Sequence, residues 1–360
     1  AGDPWDKGMT TINPAYFDLA DLRVQWLIKE GIMPNMVGAW GYYIKWFGVE
    51  KMKKHYDYLI ARYGAYPLTW ALCGKSTLAY YTDLRNGDWD RYKAQFRQQW
   101  SEVAAHVAAK DPFDRLLTVH PGPGARDGLP PINDMGPIDF IMVQPGHNGY
   151  RTLPGATRTL WETRDKYANR PVMYGEVCFE GMWGRSLHDV QRYLFWSSML
   201  SGAPGFSYGA EDIWQFNSEE ELFGASPIGD VWGNVPWEKA HQYKGATHIG
   251  RGRNILQQYK WQFLSSFPEG INRHADKEDP FLPFCAQTPD GTRVIYFFDA
   301  IRNMALQQLE QGQHYRYTFF DPVTGDKNST GAFVADASGE WAVPREPVKQ
   351  EWVLVVEKSR

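Results

Sequence analysis

The first two thirds of the chain repeat one unit: an amphipathic helical stretch, then a short apolar run ending in glycine or a polar side chain. Parallel strands need long crossovers, so strand–helix alternation of this kind specifies a parallel sheet. Six runs carry the strand pattern: "IMPNMVGAW", "PLTWALCGK", "RLLTVHPGPG", "IDFIMVQPGHNG", "RPVMYGEVCFEG" and "GAPGFSYGAEDIW". Between them, "NPAYFDLADLRVQWLIKEG" reads as a helix with Pro14 near its start and Gly31 as its stop. Val49, Met52, Tyr56, Leu59, Ile60 and Tyr63 fall at helical spacing, closed by Gly64. Trp89, Tyr92, Phe96, Trp100, Val103 and Val107 mark another helix face. A helix near residues 158 to 168 follows. Ser186 with Asp189 predicts a capping box for "SLHDVQRYLFWSSML", and "WEKAHQYKGATHIGRGRNILQQYKWQFL" predicts one closing helix.

The polar residues sit at the ends of the strand runs: Trp40, Lys75, His120, Gln144, His147, Glu176 and Tyr208. A TIM barrel gathers its active site at the C-terminal ends of all its strands, whereas a doubly wound sheet gathers a ligand at one switch point. The expectation is a TIM (β/α)8-type barrel over residues 1–271. Six strands are two short of closure, so the first two barrel strands are expected to be missing from this chain. After about residue 272 the texture changes to short alternating strands joined by turns, as in "RVIYFFDA", "HYRYTFFDPVTG", "GAFVADASG", "GEWAVPR" and "QEWVLVVEK". Residues 272–360 are therefore expected to form an antiparallel β-sandwich.

Gly74-Lys75-Ser76 imitates a phosphate-binding loop, but the imitation is shallow. That loop needs a glycine five residues before Gly74, and the position is Thr69, inside a bulky run. A net charge of −4 gives no electrostatic reason to expect nucleic acid. No apolar run approaches the ~18 residues of a membrane span. Cys73, Cys178 and Cys285 stand far apart and in no zinc spacing, so buried free thiols are expected, with no metal and no cofactor. The opening "AGDPWDKGMT" has no basic or apolar leader, so any export signal is taken to have been removed or never to have existed. The aromatic content is unusual, with 16 Trp and 20 Tyr. Flat faces with polar edges suit sugars, and extra packing is the alternative.

Glu176 ends "PVMYGE" after a glycine, which places a carboxylate at a barrel mouth. A glycosidase nucleophile is one reading and a structural salt bridge the other; Glu180 is its near rival. His120 and His147 close consecutive strands without a carboxylate at ligand spacing. With Gln144 and Asn148 they read as groups that bind sugar hydroxyls or orient Glu176, or else as core histidines. Trp40, Trp46, Trp183 and Trp214 follow strand ends and are suited to stacking on a sugar, or to packing.

These segments resemble the apiosidase-like glycoside hydrolases, in which a catalytic TIM barrel is followed by a collagen-binding-type β-sandwich. The resemblance rests on "INPAYFDLADLRVQWLIKEGIMP", "YLIARYGAYPLTWALCGK", "LLTVHPGPG", "IDFIMVQPGHNG", "RPVMYGEVCFEGMWG", "YLFWSSMLSGAPGFSYGAEDIWQFN" and "TFFDPVTGDKNSTGAF". It implies retaining hydrolysis of an oligo- or polysaccharide, a carbohydrate partner, and a secreted or periplasmic bacterial protein. Glu176 matches the nucleophile position; Trp40, His120, Gln144, His147, Asn148, Trp183, Tyr208, Glu211 and Trp214 are the expected substrate-binding residues.

One position departs from the pattern. The acid/base, an Asp or Glu in the family, falls on Lys75. A lysine ammonium has an ordinary pKa of ~10.4 and does not simply replace a carboxylic acid. Three explanations follow: a disabling substitution, a sugar-binding relative without hydrolysis, or proton supply by Glu180, Glu211 or His120.

Overall fold

The computed structural model describes residues 2–77, 89–122, 130–222, 233–299, 303–345 and 348–359, and no side chains at 89–91 or 215. The last two residues of "RLLTVHPGPG" and the side chain of Trp89 therefore lie outside the described residues. The chain divides into two compact units, Ala1–Gln144 and Pro145–Arg360.

In the first unit, strands β1 (Asn35–Val37), β2 (Thr69–Ala71) and β3 (Leu117–Thr118) form a parallel sheet in that order. Met36 pairs with Trp70, and Trp70 with Leu117. Leu68 through Gly74 are all buried, which is why this run reads as continuously apolar rather than alternating. Helix α1 (Pro14–Lys29) starts at Pro14, whose missing N–H costs nothing in a first turn, and is followed by Gly31 at φ 74°. Helix α2 (Tyr43–Tyr63) is broken at Gly48, and its predicted stripe of Met52, Tyr56, Leu59, Ile60 and Tyr63 is buried. It packs on α3 (Trp89–Lys110), whose Phe96, Trp100, Val103 and Val107 are buried. β4 (Ile141–Val143) ends the unit.

One close approach in this unit runs through a glycine. A Cβ on Gly38, just past β1, would lie 2.1 Å from Tyr56 Oη, and that hydroxyl donates to the Leu72 carbonyl. The glycine thus lets a helix side chain reach across and satisfy the backbone of the neighbouring strand.

The second unit holds β5 (Val172–Tyr174) and helices α4 (Leu153–Lys166), α5 (His188–Leu200), α6 (Glu211–Gln215), α7 (Trp237–Ala240) and α8 (Lys244–Leu256). Three expectations change here. The sixth predicted strand, "GAPGFSYGAEDIW", forms no ladder; only an isolated parallel bridge joins Glu180 to Ala210. Five of its first nine residues are small Gly or Ala, which leaves little side chain to pack a strand. The capping box does not form. Leu187 is the N-cap, Ser186 Oγ donates instead to the His147 carbonyl (3.4 Å), and Asp189 accepts from Tyr150. The single closing helix is two, separated at His241–Tyr243, because Tyr243 takes extended backbone before α8.

Strands β6 (Ser265–Ser266), β7 (Phe284–Gln287), β8 (Arg293–Phe297), β9 (Ala305–Leu306), β10 (His314–Phe320), β11 (Lys327–Val334), β12 (Trp341–Ala342) and β13 (Trp352–Lys358) complete the chain. Six form an antiparallel sheet in the order β11-β10-β13-β8-β7-β6, and β12 pairs with β9 as a ribbon. Ile295, Phe297, Leu306, Phe319, Trp352 and Leu354 pack between them.

Helix α5 explains how this sheet is held. Every residue from Val190 to Leu200 is buried, so no face of those three turns is left for water. It packs against the helices α4 and α8 and against the strands β7 and β8. Arg192 makes a two-pronged pair with Glu351, Nε to Oε2 at 3.0 Å and Nη2 to Oε1 at 2.5 Å. Tyr296 donates to the same carboxylate at 2.8 Å. Tyr193 donates to the Pro280 carbonyl at 2.6 Å, and the Trp196 and Tyr296 rings stack with centroids 5.9 Å apart.

Candidate active site

Past the end of β5 the chain runs Gly175-Glu176-Val177-Cys178, and the loop Pro145-Gly146-His147 lies parallel to it. An isolated bridge joins Gly146 to Val177, and Cys178 N–H donates to the Gly146 carbonyl at 3.0 Å. Cys178 is held at φ 42°, a left-handed conformation costing about 1–2 kcal/mol in a non-glycine residue. The bond from Gln191, buried on α5, to the Cys178 carbonyl helps to pin it. This paired course brings His147 and Glu176, 29 residues apart, into contact.

The two side chains are 13% and 14% exposed, and His147 Nε2 lies 2.9 Å from Glu176 Oε1. The backbone N–H of Phe179 donates to His147 Nδ1 at 3.3 Å, so Nδ1 is an acceptor and Nε2 carries the proton. His147 therefore donates to the Glu176 carboxylate. The Phe179 ring, 4.8 Å away centroid to centroid, covers the imidazole. A carboxylate oriented by the His147 donor and with partial access to water is suited to nucleophilic attack or to proton transfer.

Glu180 is the opposite case. It is 4% exposed and accepts from Tyr208 Oη at 2.6 Å and from Gly245 N–H at 2.9 Å. Gly245 lies in the first turn of α8, so a distant carboxylate serves that helix's unsatisfied N–H groups. Only glycine permits this approach, since a Cβ there would sit 2.2 Å from Glu180 Oε2. Burial raises the Glu180 pKa, against the lowering effect of the two donors. Burial, then Glu180 itself, also raises that of Tyr208. Next to it, Asp212 accepts from Tyr243 Oη and Val235 N–H, both at 2.8 Å. Sequence reasoning missed this pair; its signal was the acidic doublet Glu211-Asp212 before "IW".

Of the other expected residues in this unit, Trp183 and Trp214 are 44% and 51% exposed, Asn148 is exposed, and Glu211 is fully buried. In the first unit, the Trp40 ring lies against Gly74, where a Cβ would come within 2.9 Å of it. Lys75 is half-buried at φ 54°, and its neighbour Ser76 donates its N–H to the His120 carbonyl at 3.3 Å. His120 is buried, with Nδ1 donating to the Pro121 carbonyl at 2.8 Å; Gln144 is buried. The ends of β1, β2 and β3 thus bring the segments of Trp40, Lys75 and His120 side by side. Trp46, on α2, is exposed.

All three cysteines are buried and free. Among the described residues, no group of three His, Cys, Asp or Glu side chains is placed to hold a metal ion, and no helix is long and apolar enough to cross a membrane.

Comparison with known proteins gives this geometry a context. The model of the apiosidase-like catalytic domain matches residues 2–262. Among solved structures, a glycoside hydrolase family 5 protein from Bacteroides vulgatus aligns over 96% of this chain and 74% of its own, with 20% identity and a TM-score of 0.75. A second structure, described as a glycoside hydrolase, aligns over 96% of this chain and 77% of its own, with 18% identity and a TM-score of 0.71. At these identities the likeness is one of fold. No curated protein matches the chain.

Proposed function

The chain belongs to the apiosidase-like catalytic-domain family, and from that premise we propose that it is a retaining glycoside hydrolase with Glu176 as nucleophile. The observation that carries this reading is the Glu176 carboxylate beyond β5, oriented by a histidine whose tautomer is set by the Phe179 N–H. A Glu176 oxygen attacks the anomeric carbon and displaces the aglycone, forming a glycosyl-enzyme ester. Water then attacks the same carbon and frees the carboxylate. Both steps need a second group, which gives a proton to the leaving oxygen and takes one from water.

We assign that role to position 75, where lysine stands instead of a carboxylic acid, and expect hydrolysis by this chain to be impaired. The left-handed backbone at Lys75 is in keeping with a position held for function rather than for packing. Glu180, committed to Tyr208 and α8, is read as structural. The exposed indoles of Trp40, Trp183 and Trp214 are read as sugar-stacking surfaces. On this reading the strand–helix repeat is part of a (β/α)8 barrel over 1–271, 272–360 is an appended β-sandwich, and the protein acts outside the bacterial cytoplasm.

The experiment is Lys75→Glu, assayed on a panel of aryl glycosides. Hydrolysis that appears or rises at least about a hundredfold, in the range general acid–base catalysis supplies, supports the assignment. The lysine itself favours a second reading, a carbohydrate-binding relative that does no chemistry. A Lys75→Glu protein that binds sugars yet stays inactive across the panel selects that reading.

A further inference from the structure

A groove of about 1000 Å³ lies within the second unit, remote from Glu176. Pro171 and Val172, at the beginning of β5, line it, whereas Glu176 follows that strand's far end. The strand Val172–Tyr174 and Gly175 lie between Pro171 and Glu176. The groove is walled by the end of α4, the segment after α5, and the chain leading into the C-terminal sheet.

Its chemistry is that of a glycan site. Two half-buried indoles, Trp161 and Trp261, line it together with the cations Arg164, Arg170 and Lys277. Two carboxylates, Asp165 and Asp276, line it as well. Asp276 is already engaged, accepting from the N–H groups of Glu278 and Asp279 at 2.7 and 2.8 Å.

Arg164 is the informative residue. It is half-buried, and among the described residues its guanidinium has no hydrogen-bond or ion-pair partner. It lies over the backbone of Gly202 at φ 82°, where a Cβ would come within 3.2 Å of Nη2. Burial lowers its pKa, with neighbouring Asp165 offsetting only part of that effect. A guanidinium drawn partly out of water and left without an acceptor is a fork waiting for a planar anion. Beside two indoles, the planar anion that fits is the carboxylate of a sugar acid.

We propose that this groove is a second glycan-binding site, taking an oligosaccharide stretch that carries a uronate carboxylate on Arg164. The site rests on the reading of the protein as glycan-active, but its binding is measured apart from any hydrolysis at Glu176.

The test is calorimetric titration of the full chain with tri-galacturonic acid and with neutral galactotriose. Wild type and Glu176→Gln should bind the acid alike, with Kd of about 1 mM or tighter. Arg164→Gln should weaken that binding at least about tenfold, and Trp261→Ala at least about fivefold, each with a melting temperature near wild type. Neutral galactotriose should bind at least about tenfold more weakly than the acid. The proposal is overturned if the acid does not bind, if galactotriose binds as well, or if Arg164→Gln binds as wild type does. Glu176→Gln that alone loses binding puts the ligand in the active site and also overturns it. Failure of Lys75→Glu to hydrolyse leaves each of these results standing on its own.

Discussion

Glu351→Ala should unfold the second unit at markedly lower denaturant. The carboxylate lies on the residue just before β13 and receives two N–H groups from Arg192 on α5 and the hydroxyl of Tyr296 on β8. Arg192 is 6% exposed and Glu351 14%, so deletion strands a buried guanidinium rather than a solvated one. Removing one member of such a pair costs about 3–5 kcal/mol, and the orphaned Tyr296 hydroxyl adds about 1 kcal/mol. Arg192 also donates Nη1 to His248 Nδ1 at 2.7 Å, which requires a neutral imidazole. Burial and then the Arg192 charge bring the His248 pKa down to about 4. The double variant Arg192→Met/Glu351→Met, which removes both charges and keeps the volume, should regain most of the loss. Equilibrium urea unfolding of the full chain measures each variant, and NMR titration should show His248 rising from about 4 when Arg192 is replaced. A Glu351→Ala loss below about 1 kcal/mol would place the pair with ordinary surface bridges and refute the reasoning. So would a double variant no more stable than the single one.

Two further outcomes follow from the candidate site. Nitrogen-detected NMR should find His147 as the Nε2–H tautomer; in an active Lys75→Glu background, His147→Ala should lower kcat about ten- to a hundredfold, the worth of a hydrogen bond to a charge, with a smaller change in KM. An Nδ1–H signature, or an unchanged kcat, removes His147 from its orienting role. Glu180, with its folded pKa raised above 4.5, favours folding most at and below pH 4.5, and that contribution fades as pH rises through the raised value. The stability of Glu180→Gln minus that of wild type should therefore grow between pH 4.5 and 7; a difference that shrinks contradicts the sign.

Helices with a clear apolar stripe were legible because one face decides them: Met52 to Tyr63 in α2 and Phe96 to Val107 in α3 are buried as their spacing predicts. Glu176 and His147 were legible as residues at strand ends. The bond between them was not, because it depends on two loops running side by side beyond their strands. β7 escaped notice because "FCAQ" is a short apolar run without alternation. The glycine-rich stretch before Ala210 misled in the other direction: its boundaries are those of a strand, but it makes only a bridge. The bond of Glu180 to α8 joins residues 65 apart, beyond the reach of any local pattern.

The burial of α5 on every side bears on how such a chain can be altered by recombination. A helix with one wet face can trade the module beside it for another of similar shape. α5 cannot, since it is buried all round and β7 and β8 are among the elements packed on it, with α4 and α8. Cutting the gene before β7 would expose Trp196 and open Arg192 to water, and a grafted replacement would have to supply both an aromatic platform and a carboxylate. Inheritance of the two parts is thereby tied, and changes at Glu351 and at α5 should travel together.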